Sequence, residues 1–243
     1  MRRGGDVCFV LGGAAGATAG LARLYQHPTM LCTLLIVLVV VTLWRWHAPR
    51  DLAGLAVGAV FGNFTELLSS LAGLWIHRTP QILGVAPAYI FLCYPLLGLA
   101  FPRLVDALAG RQRAAAEGRG TTLAHACMLG AALVSLPCLG AGHATVQWLC
   151  CVTSFAIILK RFHSQHDLLC SLAGTVLALG WELPCTVAGT WFFPQPQLFG
   201  RLPLWLPFAY AGFFVMLGRM TIGITMYWEH GYSADRAPAE SAA

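Results

Sequence analysis

Charge is what this chain has least of. Only 10% of its 243 residues are Asp, Glu, Lys or Arg, against 58% that are hydrophobic, and the mean hydropathy is +0.68. A soluble domain carries about 25% charged residues. A water-covered globule is therefore excluded, and intrinsic disorder and a coiled coil with it. Lysine is nearly missing: of 15 basic residues, only Lys160 is not arginine. No basic run with interleaved aromatics occurs, so the net charge of +5 is no nucleic-acid footprint, and no nucleic-acid partner is expected. The nine cysteines all fall in or beside apolar runs and never as CxxC, which reads as small, buried, reduced core residues and not as a disulfide scaffold. Alternation of apolar and polar residues is also lacking, which excludes a transmembrane barrel.

What is present is a series of unbroken apolar runs, such as Met30 to Trp44. They predict an all-α polytopic membrane bundle of about eight helices (seven if the first is lost), near 7–24, 29–44, 52–76, 82–101, 122–140, 143–159, 168–192 and 202–219. The last is expected to run on as an amphipathic stretch to Trp228. Arg2, Arg3 and the small residues at Ala17–Gly20 give the first run the look of a signal peptide. An internal repeat argues instead for a retained span.

Shifted by 116 residues, the chain matches itself without a gap. Between Leu43 and Arg103, 18 of 61 positions are identical to their counterparts. They include Asp51 with Asp167, Glu66 with Glu182, Trp75 with Trp191, Gln81 with Gln197, Tyr94 with Tyr210 and Arg103 with Arg219. The expected organisation is a first four-span repeat over 1–104, a cytoplasmic linker over 105–122, a second repeat over 123–220, and an amphipathic extension with a disordered tail over 221–243. An even number of spans per half gives both halves the same orientation, related by a pseudo-twofold axis along the membrane normal. Twelve of the 15 basic residues fall on one face of this topology, which places both termini in the cytoplasm, and in the inner membrane if the chain is bacterial.

Two acids stand out because they lie deep in spans. Gly54, Gly58, Gly62, Glu66 and Ser70 recur every fourth residue, as do Cys170, Gly174, Ala178, Glu182 and Thr186. Each series lines one helix face, and small residues at that spacing bring helices close in lipid. Glu66 follows Asp51 by 15 residues, about 22 Å of helix, which is beyond mid-membrane toward the outer side. No lysine or arginine shares that depth. Each glutamate is therefore either held neutral or opens onto a wet cavity. An intramembrane acid is a functional candidate; the bland alternative is a protonated side chain bonded to a neighbouring carbonyl. Asn63, one turn from Glu66, is placed to orient it, whereas the counterparts of Asn63 and Thr65 are Leu179 and Trp181.

Trp75, Trp191, Tyr89, Trp205, Tyr94, Tyr210 and Trp181 surround this level. They read either as an interfacial aromatic belt, which suits Trp75 and Trp191 at span ends, or as the wall of a substrate cavity. His47 with Asp51, and His163 and His166 with Asp167, sit one turn apart at the cytoplasmic ends. They are weak candidates for a divalent metal, and helix capping by the aspartates is the simpler reading. His27, His77 and His143 lie on the outer side, within reach of a proton-relay role. Pro184 is expected to kink the seventh span near Glu182.

The run Trp181-Glu182, Gly189-Thr190-Trp191-Phe192-Phe193 and Gly200 resembles the membrane lycopene cyclases and related carotenoid hydratases. The likeness covers some 35 residues of the second half and, more faintly, 62–98. The cyclases' paired glutamates are absent: Pro207 is followed by Phe208, Ala209 and Tyr210. That points away from β-cyclisation of lycopene and toward the hydratase branch, which Pro203-Leu204-Trp205-Leu206-Pro207 also resembles. The resemblance implies a lipophilic isoprenoid substrate. A protonated Glu182 or Glu66 would donate a proton to a terminal double bond, aromatic faces would stabilise the cation, and water or ring closure would quench it, with no cofactor required. Two other readings stand beside it. A midplane acid in each of two halves also describes a proton-coupled transporter, and a lipid-binding or assembly protein would need neither glutamate.

Overall fold

The computed structural model describes residues 2–109 and 121–234. Most of the expected linker and the end of the expected tail therefore lie outside the described residues. The described chain is almost wholly helical: α1 (Arg2–Leu24), α2 (Pro28–Arg45), α3 (Pro49–Val57), a π-helical turn (Gly58–Gly62), α4 (Asn63–Leu71), α5 (Ile90–Ala109), α6 (Thr121–Leu139), α7 (Ala144–Arg161), α8 (Gln165–Ala188) and α9 (Leu206–Ala234). The segment from α3 to α4 is one continuous helix, Pro49–Leu71. Eight rods result. Six are long and apolar enough to cross a membrane; α7 is not among them, and the apolar part of α6, Leu123–Cys138, is shorter. Large apolar side chains such as Val60, Leu172 and Val176 are exposed on the outside of the bundle, as a lipid-facing surface requires.

Two span boundaries differ from expectation, in the same way in both halves. The third and seventh spans end early, at Leu71 and Ala188, because Gly73 and Gly189 take the left-handed conformation at φ 72° and 78°. The fourth and eighth start late, at Ile90 and Leu206, because the prolines at 80, 87, 196 and 203 keep the preceding residues out of helix. The intervening segments form loops. Each carries a two-residue strand, β1 (Ile76–His77) and β2 (Trp191–Phe192), and the two pair antiparallel. Ile76 pairs with Phe192, its own counterpart at an offset of 116. Each loop also closes on a matching bridge, Ile82 with Ala86 and Leu198 with Leu202. Gln81 and Gln197 pin the loops identically, each Oε1 accepting a backbone N–H (Ala88, Leu204) at 2.9 Å.

α5 and α9 form the centre. The apolar window of α9 is 78% buried and that of α5 56%, against 17% for α2. α1, α2 and α3 pack on α5, while α6, α7 and α8 pack on α9. Across the middle, α3 meets α9 and α8 meets α5, while α1 meets α8 and α6 meets α4. The small-residue stripe of the third span faces α5. A Cβ at Gly54 would lie 2.2 Å from the Gly98 carbonyl oxygen, and one at Gly58 would lie 2.2 Å from that of Tyr94. This approach holds Glu66 at the α5 surface.

The charged end of the bundle is fastened by ion pairs. Arg103 binds Asp51 through two hydrogen bonds of 2.6 and 2.5 Å, and Arg219 binds Asp167 with the same two lengths. Asp51 also accepts the Ala48 N–H, and Asp167 the N–H and Oγ of Ser164, so both aspartates cap their helices as well. The metal reading of His47, Asp51, His163 and Asp167 is corrected here: the aspartates are taken by arginines, and both histidines are exposed. No group of three or more His, Cys, Asp or Glu able to hold a metal occurs among the described residues.

Candidate functional site

Glu66 and Glu182 come together near the β1–β2 end. Both are buried, at 3% and 4% exposure, in a bundle level without a lysine or arginine partner in their hydrogen-bond sets. They face one small pocket, lined also by Trp75, His77, Tyr94, Trp181 and Trp191.

Each carboxyl is held by a matching pair of donors. Trp75 Nε1 donates to Glu66 Oε1 at 2.8 Å, and Trp191 Nε1 to Glu182 Oε2 at 2.7 Å. Trp75 reaches back from the bend just before β1, and Trp191 from β2. Tyr94 OH donates to Glu66 Oε2 at 2.9 Å from α5, and Tyr210 OH bonds Glu182 Oε1 from α9. The belt reading of Trp75 and Trp191 is thus corrected: their indole N–H groups point inward, at the acids.

The remaining partners differ between the halves. Glu66 Oε1 also meets Ser70 Oγ at 3.0 Å and His77 Nε2 at 2.6 Å. Glu182 Oε1 meets Trp181 Nε1 at 3.1 Å instead. His77 is 5% exposed. Its counterpart is Phe193, and the two occupy related places: His77 stands edge-on to Trp191 at 5.7 Å, and Phe193 edge-on to Trp75 at 6.1 Å. Of the three outer-side histidines that the sequence put within reach of a proton-relay role, His77 is the one that meets an acid. The available signal was a mismatch, His against Phe, inside a block of identities.

Beside the acids lies a second, larger cavity. Its wall is mostly apolar (Leu74, Leu133, Val134, Trp205, Leu206, Phe213), with Trp75, Tyr94 and Tyr210 on the acid side.

Of the other expected site residues, Asn63 does not orient Glu66. Its Nδ2 donates to the Phe91 carbonyl at 3.2 Å, because the helix turn that aims Glu66 at α5 leaves Asn63 facing the α5 backbone. Tyr89 is fully buried, bonds neither carboxyl and lines neither cavity. Burial pushes its phenol well above the ordinary range. His27 and His143 are exposed and stand before α2 and α7. Pro184 lies inside α8, which continues to Ala188.

The chemical content of this arrangement is two carboxyls in one pocket, one with a histidine. Each is connected through a tyrosine to an apolar cavity. No known protein family, curated protein or solved structure matches the chain.

Proposed function

We propose that this protein is an integral membrane enzyme that protonates a lipophilic isoprenoid in the apolar cavity and resolves the resulting carbocation by hydration, or by ring closure followed by loss of a proton. The observation that carries the reading is the shared wall: Trp75, Tyr94 and Tyr210 bond the carboxyls and also line the apolar cavity. A buried carboxyl can serve as general acid where its proton reaches the reacting group directly or through one intermediary. Aromatic faces on the cavity wall offer a cation a stabilising surface. The resemblance to carotenoid hydratases supports the same substrate class.

The architecture proposed with it is two four-helix repeats of like orientation, eight spans in all, with both termini cytoplasmic. Its support is the set of contacts that recur at an offset of 116, above all the pairing of Ile76 with its own counterpart. A proton-coupled carrier built on two equal acid sites fits less well, because only one of the acids has a histidine.

The test is conversion of lycopene, squalene and geranylgeraniol in membranes containing wild type, Glu182→Gln or Glu66→Gln. Turnover by wild type with a loss of at least about 100-fold in Glu182→Gln is expected, the usual scale for removing a general acid. Equal turnover in all three overturns the acid role.

A further inference from the structure

Neither carboxyl lines the apolar cavity; the tyrosines do. Tyr94 and Tyr210 are counterparts, each stands between a glutamate and the same cavity, and only their backing differs. We infer that the two pairs are an acid arm and a base arm of one reaction: Glu182 and Tyr210 deliver the proton to the substrate, and Tyr94 and Glu66, with His77, take a proton back. The inference rests on the reading proposed above and assigns the direction that reading leaves open.

Hydrogen-bond inventory sets the direction. A neutral carboxyl must donate its own proton. Of the three partners of Glu182, two are indole N–H groups, which can only donate. Tyr210 is the one partner able to accept. A proton on Glu182 therefore has one outlet, and Tyr210, on receiving it, has its own O–H free for the cavity it lines. Glu66 has a different complement. His77 Nε2 lies 2.6 Å from its Oε1 with both side chains buried, so an imidazolium can supply the countercharge of a carboxylate; Phe193 cannot. His77 Nδ1 is buried without a hydrogen-bond partner among the described residues, and His77 lines the small pocket the acids share.

The steps balance. The alkene π pair forms a C–H bond with the Tyr210 proton while the Glu182 proton passes to the Tyr210 oxygen; the products are a carbocation and a Glu182 carboxylate. Quenching releases one proton, either from the adjacent carbon or from an attacking water. That proton goes to the Tyr94 oxygen as the Tyr94 proton passes to Glu66 Oε2. Both glutamates face one pocket, and return of the proton from Glu66 to Glu182 across it resets the site. No oxidant, reductant or metal is consumed. In these terms Tyr94 and Tyr210 are catalytic residues, and His77 is a positioning residue.

The test uses the full chain in membranes with the same three isoprenoids. Tyr210→Phe is expected to lower substrate consumption at least about 100-fold. Tyr94→Phe and His77→Phe are expected to change the ratio of hydrated or cyclised product to eliminated product at least threefold, a readout that loss of folding alone does not move. Wild type provides a measurement independent of any variant: two protons in flight make the rate a bowed function of the D2O fraction, whereas one gives a straight line. Loss of turnover in Glu182→Gln with full turnover in Tyr210→Phe, or a straight line, overturns this inference and leaves the proposed function standing. A larger consumption defect in Tyr94→Phe than in Tyr210→Phe reverses the arms and overturns it too. Absence of turnover by wild type on all three substrates overturns both.

Discussion

Replacing Arg219 with alanine tests how the bundle is held together, because the protein contains its own control. The Arg219–Asp167 and Arg103–Asp51 clasps have the same geometry but not the same surroundings. The Arg219 side chain is 5% exposed and Arg103 31%, while both aspartates are at 1%. Removing one member of a buried ion pair strands the other charge and costs roughly 3–5 kcal/mol. Where water reaches the pair, the loss falls toward the roughly 1.5–3 kcal/mol of a charged hydrogen bond. Arg219 also lies 4.8 Å over the Phe162 ring, a contact that alanine forfeits. At about 2–4 °C per kcal/mol for a chain of this size, Arg219→Ala should lower the melting midpoint by roughly 10 °C and Arg103→Ala by about half as much. The assay is thermal unfolding in detergent, read by loss of the monodisperse elution peak. The pair Arg219→Met with Asp167→Leu should fall less than Arg219→Ala alone, since it leaves no buried charge behind. Equal shifts for the two arginines, or a double variant worse than the single, would refute the argument.

Gly58→Ala should abolish the folded peak, because its Cβ would meet the Tyr94 carbonyl oxygen at 2.2 Å, whereas Gly180→Ala, with nothing within 4 Å, should be neutral or stabilising by up to about 1 kcal/mol; melting of the two variants checks this. Cysteines introduced at exposed His47 and His163 should react with a membrane-impermeant maleimide only after cells are opened, and those at Arg78 and Arg201 in intact cells; the reverse pattern refutes the proposed orientation. Gln81→Ala and Gln197→Ala should cost the same, about 1 kcal/mol each in chemical unfolding, since each removes one hydrogen bond of 2.9 Å from a matching loop. Moving the histidine across the axis, with His77→Phe and Phe193→His together, should make consumption sensitive to Tyr94→Phe in place of Tyr210→Phe.

Scarcity of charge made the acids legible: among so few ionisable groups, a glutamate in mid-run has no bland surface role. The helices were legible for the same reason, since an apolar run in lipid has to satisfy its own backbone. The early ends at Leu71 and Ala188 were less so, although Gly73, Pro80, Gly84 and Pro87 and their counterparts mark them. In a window average the apolar residues between those breakers outweigh them. Two-residue strands have no periodicity to detect, so the β1–β2 pairing was invisible. The arginine clasps were overlooked for another reason. Arg103, Arg219, Asp51 and Asp167 all stood in the self-match, but counting the arginines as topology signals treated as solvated charges what are fixed partners.

The same contrast bears on how two matched halves would carry the directional site proposed above. A twofold axis through the Ile76–Phe192 pair must present each acid with the same neighbours from both halves, and an exact twofold would make the two glutamates interchangeable. Interchangeable acids in one pocket compete for one proton with no preferred holder, which suits storage better than transfer. The departures from symmetry cluster where such a preference has to be set: His77 against Phe193, and Thr65 against Trp181. The π-helical turn at Gly58–Gly62, where its counterpart in α8 stays α-helical, is a third departure, and it lies on the Glu66 side. The loop pins and the two hydrogen bonds of each arginine clasp keep the symmetry. A difference in the immediate partners of two matched carboxyls is enough to give a proton a source and a destination.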